Sequence, residues 1–203
     1  MNFLAHLYLA GDDEDQVVGQ VLADFLERGW RDRVSLGVLR GVRLHQQADL
    51  YTDQHELFRR SRERLPQPFR RYAGIVVDIF YDHLLATHWE QFHDVPLDEF
   101  AQSRYRILEG RTEGMTGRMR AVLPILVERD WLTSYRSREG VEYALAGVSR
   151  RLKRANPIAE AGAALWANRE GFEQDFLAFF PELTTHMTWL AWSGPNEIPK
   201  PPV

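Results

Sequence analysis

Along nearly the whole chain, apolar residues recur three and four positions apart, and no stretch sustains the period-two alternation of a half-buried strand. The pattern predicts an all-α protein. Residues 2–10 form a short first helix. The acidic run Asp12 to Asp15 offers an N-cap and favourable first-turn charge to a second, over 16–28, which Gly29 ends. Ser35 caps a third helix reaching about Leu50. Asp53, with Glu56 three residues later, resembles a capping box opening a fourth, which stops before Pro66 and Pro68. The longest periodic segment runs from Phe69 to Trp89, and Pro96 marks the entry to a helix reaching about Glu109. Beyond Gly110, Gly114 and Gly117, helices fit 116–130, 138–154, 157–170, 171–179 and 184–192, with Pro181 as a breaker. Residues 1–193 read as one domain, and the proline-rich tail Gly194 to Val203 as an extended segment.

Six polar residues break the apolar stripes of these helices: His6, Asp24, His45, Asp49, Asp78 and Asp82. On a helix, positions i, i+4, i+7 and i+11 share a face. Val38, Val42, His45 and Asp49 lie on one such stripe; Ile75, Asp78, Asp82, Leu85 and Trp89 on another; Val17, Val21 and Asp24 on a third. Asn2 and His6, four apart, add an amide and a second imidazole. A lone histidine on an apolar face is usually a hydrogen-bonded core residue, and Asp24 alone reads as a helix-end acid. Asp78 and Asp82 are sharper, because like charges one turn apart on an apolar face repel unless a cation neutralises them. Buried charges persist when they satisfy one another or hold a cation, so the six together point to a divalent metal.

Composition narrows the chemistry. A chain of 203 residues, 44% apolar and with a net charge of only -4, forms a sizeable core and carries no global field for nucleic acid or membrane. Cysteine is absent, which excludes a disulfide scaffold and a thiolate site and leaves nitrogen and oxygen ligands. Met1 to Ala10 lacks a basic leader and a cleavage pattern, and no uncharged run approaches the roughly 18 residues of a membrane span. A cytoplasmic protein is expected.

Several separated motifs, in order, carry a likeness to a known family. The opening Met1-Asn2-Phe3-Leu4-Ala5-His6, the segment Gly19 to Asp24, and Arg43-Leu44-His45 through Asp49 to Thr52-Asp53 come first. They are followed by Asp78-Ile79-Phe80-Tyr81-Asp82-His83, His88-Trp89, Asp130-Trp131-Leu132 and Phe179-Phe180-Pro181. Together they resemble the acyl carrier protein phosphodiesterase family, over nearly the whole chain. The resemblance implies an HD-domain-like, all-helical metal phosphohydrolase, typically supported by Mn2+, with Mg2+ or another divalent ion as substitute. Its implied reaction removes 4'-phosphopantetheine from holo acyl carrier protein, leaving the apo carrier with a free serine hydroxyl.

On that basis Asp24, His45, Asp78 and Asp82 are the expected metal ligands, with Asp49 as a further ligand or a supporting acid. His6 is the alternate imidazole, ligand or catalytic group. His83 follows Asp82 and so points about 100° away round the helix, which suits an orienting or proton-donating role better than ligation. Arg43, two residues before His45, is placed to contact the phosphate, unless it is a plain surface arginine. Asp53 reads as a helix cap, and His55, His88, His93 and His186 receive no role from spacing.

Arginines concentrate at Arg59, Arg60, Arg62, Arg64, Arg70 and Arg71, against the single acid Glu63. A later run, Arg150, Arg151, Lys153 and Arg154, has no acid within it. Such runs are usually solvated helix faces. Because carriers of the implied type are acidic, the first run is expected to be the carrier-docking rim. Gln46 and Gln47 stand where basic residues often follow the histidine in the family, which alters that contact surface. Two other readings compete: a phosphohydrolase acting on a nucleotide or other small phosphoester, and a non-catalytic helical module whose polar cluster is only a hydrogen-bond network.

Overall fold

The computed structural model describes residues 1–192; the tail expected over Gly194 to Val203 lies outside the described residues. Among the described residues the expected class holds: eleven α-helices joined by 3-10 turns and short loops, with no strand. They are α1 (Phe3–Leu9), α2 (Glu14–Leu22), α3 (Leu36–Gln54), α4 (Glu56–Glu63), α5 (Ala73–Thr87), α6 (Leu97–Gly110), α7 (Gly117–Glu128), α8 (Trp131–Ser134), α9 (Arg138–Arg151), α10 (Gly162–Ala167) and α11 (Arg169–Trp192). Among the described residues no helix is long and apolar enough to cross a membrane.

Helix α5 is the axis of the core. Its residues from Ile79 to Ala86 are all buried, as expected of a helix that is apolar on every side. Helices α1, α4, α9 and α11 pack around it. The closest helix pair is α2 with α3, and glycine makes it possible. A Cβ on Gly19 would lie 2.3 Å from the Val38 carbonyl oxygen, and one on Gly41 would lie 2.5 Å from that of Gln16. This near contact of backbones brings the end of α2, and Asp24 with it, beside the middle of α3.

Three departures from the periodic reading have physical causes. Helix α2 stops at Leu22, and Asp24 sits in a following 3-10 turn, Ala23–Phe25. The Phe25 carbonyl accepts from the Thr116 hydroxyl at 2.9 Å, so the acceptor that a continuing helix would use is taken from across the fold. Helix α3 continues past Leu50 to Gln54 and absorbs Asp53, so the capping box does not form; instead the His55 Nδ1 caps α4 by accepting from the Leu57 amide at 3.2 Å. Pro181 does not break the chain, and the two expected segments at 171–179 and 184–192 are one helix. An interior proline costs about 3 kcal/mol. The unbroken stripe Phe172, Phe176, Phe179, Phe180, Leu183 and Met187, all buried, outweighs it at about 1.5–3 kcal/mol for each such side chain.

The segment expected over 157–170 resolves into a 3-10 turn, Ile158–Glu160, and the short α10. Helix α9 ends at Arg151, which leaves Lys153 and Arg154 on an exposed stretch beyond it.

Candidate metal centre

The first helix lacks a local side-chain cap, which leaves its opening amides to find an acceptor elsewhere. They find it in Asp82 of α5. The Leu4 amide donates to one carboxylate oxygen at 2.7 Å and the Ala5 amide to the other at 3.2 Å. An anion at a helix N-terminus is also favoured by the helix dipole. Burial pushes the Asp82 carboxyl up to about 7, with the Leu4 amide pulling the other way. The consequence is positional: α1 is anchored on α5 with His6 turned toward α3.

There the His6 ring stacks on His45, with centroids 3.7 Å apart and planes 13° from parallel. Both Nε2 atoms address the carboxylate of Asp49, each at 3.2 Å and each to a different oxygen. The Asp24 carboxylate lies 3.9 Å from the same His45 nitrogen. The Met1 amine stands 2.8 Å from Asp78 and 3.4 Å from Asp49, so a cation already lies between those two acids. Burial would push that amine down, but the charges of Asp78 and Asp49 prevail and raise it to about 11.

The cluster has a dry floor and an open mouth. His6 is 2% exposed, whereas the side chains of Asp49 and Asp24 are 43% and 41% exposed. Burial, then the neighbouring His45, pushes the His6 ring down to about 3, so it is neutral near pH 7 and has a lone pair to give. Burial opposes the ionisation of Asp49, but the imidazoles of His45 and His6 beside it overcome that and hold the carboxyl well below its usual range. Both ring nitrogens of His6 and the Nδ1 of His45 are buried without a hydrogen-bond partner among the described residues. Such unmet groups cost about 1–3 kcal/mol each. One donor atom from each of His6, His45 and Asp49 can lie within 4.8 Å of the others, so the set fits a divalent cation with nitrogen and oxygen preferences.

The structure therefore gathers His6, His45, Asp49, Asp24 and Asp78 into one neighbourhood, with Asp82 one helical turn away on α5. It does not bring His83 there. That ring is turned about 140° round α5 from Asp78. Its Nδ1 donates to the Tyr135 carbonyl at 2.7 Å, and it packs against Phe80 and Trp166 with centroids 5.2 and 4.9 Å away. Arg43 is exposed on the solvent side of α3, about 160° round the helix from His45. Asp53 is exposed one turn beyond Asp49.

Tyr135 is the residue that sequence reading missed. It is buried, and its hydroxyl accepts from the Asn2 amide at 3.0 Å, which ties the start of the chain to the turn after α8. Burial, with the charges of Asp82, Tyr105 and Asp24 adding to it, raises its phenol well above the ordinary value; Arg151 acts in the opposite direction. A single tyrosine just past a four-residue helix has no periodicity that would mark it. The motif Asp130-Trp131-Leu132 places it: Asp130 adopts a left-handed backbone with φ 44°, accepts from Tyr105 at 2.8 Å, and starts α8 there.

A model of the family "Acyl carrier protein phosphodiesterase" matches residues 1–183. The chain belongs to the acyl carrier protein phosphodiesterase family. Acyl carrier protein phosphodiesterases of Escherichia coli strains SMS-3-5 and SE11 are each 31% identical to it over 195 residues, covering 90% of this chain and 95% of the relative. No solved structure matches the chain. Nearly the full length of these phosphodiesterase relatives is thus represented, including every helix that feeds the carboxylate and imidazole cluster.

Proposed function

We propose that this protein is a metal-dependent phosphodiesterase that hydrolyses 4'-phosphopantetheine from holo acyl carrier protein. The observation that carries this reading is the pairing of His6 and His45 on Asp49 with buried ring nitrogens left unpartnered, in a chain of this family. His6, His45 and Asp49 are the core of the donor set, with Asp24 and Asp78 completing it. A divalent ion such as Mn2+ held there supplies Lewis acidity, polarising a phosphodiester and lowering the pKa of water.

The chain's own groups do the rest. Asp49 stays ionised, so it offers full negative charge at the mouth, and neutral His6 offers a nitrogen lone pair from the floor. Asp82 holds α1, and hence His6, in place through two backbone amides, which makes it a positioning residue in this reading. The exposed faces of Asp24 and Asp49 leave room for a bulky, protein-borne diester to approach. In the reaction the oxygen of water bonds to phosphorus and the phosphorus bond to the serine oxygen breaks. That oxygen leaves as the hydroxyl of the apo carrier, and the phosphate stays on the pantetheine arm.

The test is incubation of the purified protein with holo acyl carrier protein and Mn2+, followed by intact mass measurement. The expected outcome is loss of the prosthetic-group mass from the carrier. A carrier that keeps its arm under these conditions, with metal bound to the enzyme, would overturn the reading.

A further inference from the structure

Helix α1 carries His6 into the cluster, yet it is only 7 residues long, and so short a helix is not stable by itself in water. Contacts from elsewhere must aim it. The Asp82 carboxylate grips the Leu4 and Ala5 amides at one point on its axis, about which the helix could still pivot. A second hold lies two residues earlier. The Asn2 side-chain amide donates to the Tyr135 hydroxyl at 3.0 Å, and the Asn2 carbonyl accepts from the His6 amide at 3.2 Å. The residue that Tyr135 holds is thus bonded to the residue that bears the imidazole. On its other side is Met1, whose amine lies between Asp78 and Asp49.

Tyr135 is itself fixed on three sides. Its carbonyl accepts from His83 Nδ1 at 2.7 Å. His83 follows Asp82 on α5, so α5 reaches α1 by two routes, one through Asp82 and the other through His83, Tyr135 and Asn2. Helix α8, which leads into Tyr135, is tied to α6 by Tyr105, whose hydroxyl donates to Asp130 at 2.8 Å and accepts from the Leu132 amide at 2.9 Å. Beyond Tyr135 the chain folds back so closely that a Cβ on Gly140 would lie 1.9 Å from the Ser134 carbonyl oxygen. Tyr135 and His83 are 2% and 3% exposed, so neither meets a substrate at the mouth. An aromatic ring that only filled the core would need neither the hydroxyl bond nor this bracing. We propose that Tyr135 is a positioning residue of the metal centre: braced by His83, it fixes Asn2 and through it the angle at which α1 presents His6. The assignment rests on the functional reading above, in which His6 is a donor to the ion, and it gives His83 a supporting role in place of a proton-donating one. Groups that orient a metal ligand typically change metal affinity about 10–100-fold when removed.

The test reads metal binding apart from turnover, by calorimetric titration of the purified protein with Mn2+. Tyr135→Phe keeps the ring and removes the hydroxyl, and is expected to bind Mn2+ about tenfold more weakly. Asn2→Ala removes the same bond from its other end and is expected to do the same; it carries the test should Tyr135→Phe not fold. The double variant should bind no more weakly than either single one, because both break one bond. His83→Asn, whose amide can donate from the place of Nδ1, should keep near-parental affinity, whereas His83→Leu should lose about tenfold. Asp175→Asn, which disturbs the Arg60 and Arg64 pairs that join α4 to α11, should bind Mn2+ as the parent does, so that lost stability alone does not account for the effect.

Parental affinity in folded Tyr135→Phe or Asn2→Ala, losses that add in the double variant, equal affinities in the two His83 variants, or an equal loss in Asp175→Asn would overturn the assignment. A parent that binds no Mn2+ would do the same. If Mn2+ binding depends on Tyr135 as expected but the parent releases no arm from holo acyl carrier protein, the positioning role stands and the functional reading is what fails. If the parent releases the arm while Mn2+ binding is indifferent to Tyr135, the functional reading stands and the positioning role fails.

Discussion

Two carboxylate clusters are built into the same helical core, one around Asp175 and one around Asp49, and they differ in how completely their partners are satisfied. Asp175 accepts from Arg60 Nε at 2.6 Å, from Arg64 Nε at 2.9 Å, from the second Arg64 nitrogen at 3.3 Å and from the Ser61 hydroxyl at 2.9 Å. Ser61 is in turn 2.9 Å from the Tyr81 hydroxyl. Four acceptor positions are filled and no polar side-chain atom of the group is left over. Its work is to tie α4 to α11. Around Asp49 two imidazoles share one carboxylate, and three of their ring nitrogens lack hydrogen-bond partners. The fold spends nothing on completing this group, as expected where an ion completes it. The Asp175 group is saturated, whereas the Asp49 group keeps donor atoms free for the ion of the function proposed above.

The sharpest way to break this contrast is to truncate the central acid on each side. Asp49→Ala is expected to lower carrier hydrolysis at least about a hundredfold while leaving the melting temperature within a few degrees of the parent, measured by mass assay and thermal melts. Hydrolysis at the parental rate would remove Asp49 from the site. Asp175→Ala is expected to do the reverse, costing about 2–4 kcal/mol in urea unfolding because buried hydroxyls and paired arginines lose their acceptor. Its folded fraction should keep full activity.

Next comes metal linkage. Mn2+ at about a hundred times its dissociation constant should stabilise the parent by about 2.7 kcal/mol. That shift should persist in Asp175→Asn and disappear in Asp49→Ala; a shift that survives in Asp49→Ala would place the ion elsewhere. A smaller effect separates ligand from anchor at Asp82. Asp82→Asn keeps one acceptor for the amides of α1 and is expected to cost about 1–2 kcal/mol, with Mn2+ affinity falling about tenfold through the displaced His6. Complete loss of Mn2+ binding in a stable Asp82→Asn protein would make it a ligand instead.

The smallest effect is on pH. Burial opposes ionisation of Asp175, but hydrogen bonds from Arg64, Arg60 and Ser61 hold its carboxyl below the ordinary value. Its stabilisation is therefore present above the unfolded-state pKa of about 3.8 and is lost as pH falls through the lower folded value. Unfolding free energies between pH 6 and pH 3 should fall less steeply in Asp175→Asn than in the parent. Identical slopes would show that the pair does not hold the carboxyl down.

Much of the site is legible from spacing, because helical period tells which residues face inward. His45, Asp49, Asp78 and Asp82 continue apolar stripes; His45 and Asp82 are buried, and Asp78 and Asp49 lie half-buried at the rim of the same cluster. What spacing cannot supply is the partner that each meets there. Asp82 meets the amides of α1, a contact across 78 residues. His83, next to it in the chain, meets a carbonyl across 52. Asp175 carries no motif and reads as one more acid in an acidic turn, yet it is buried as the centre of an arginine network.

The amino-acid sequence by itself determined the helical class, the inward register of the acids and imidazoles, the absence of thiolate chemistry and the family. Those follow from local period, residue type and ordered motifs, which need no knowledge of neighbours. The tertiary structure decided which carboxylate is anchor and which is open to a ligand. It also decided that Asp24 lies in a turn, that α11 runs through Pro181, and which arginines Asp175 holds. Each of these depends on competition for the same donors and acceptors between segments far apart in the chain, and only the packed molecule shows which partner wins.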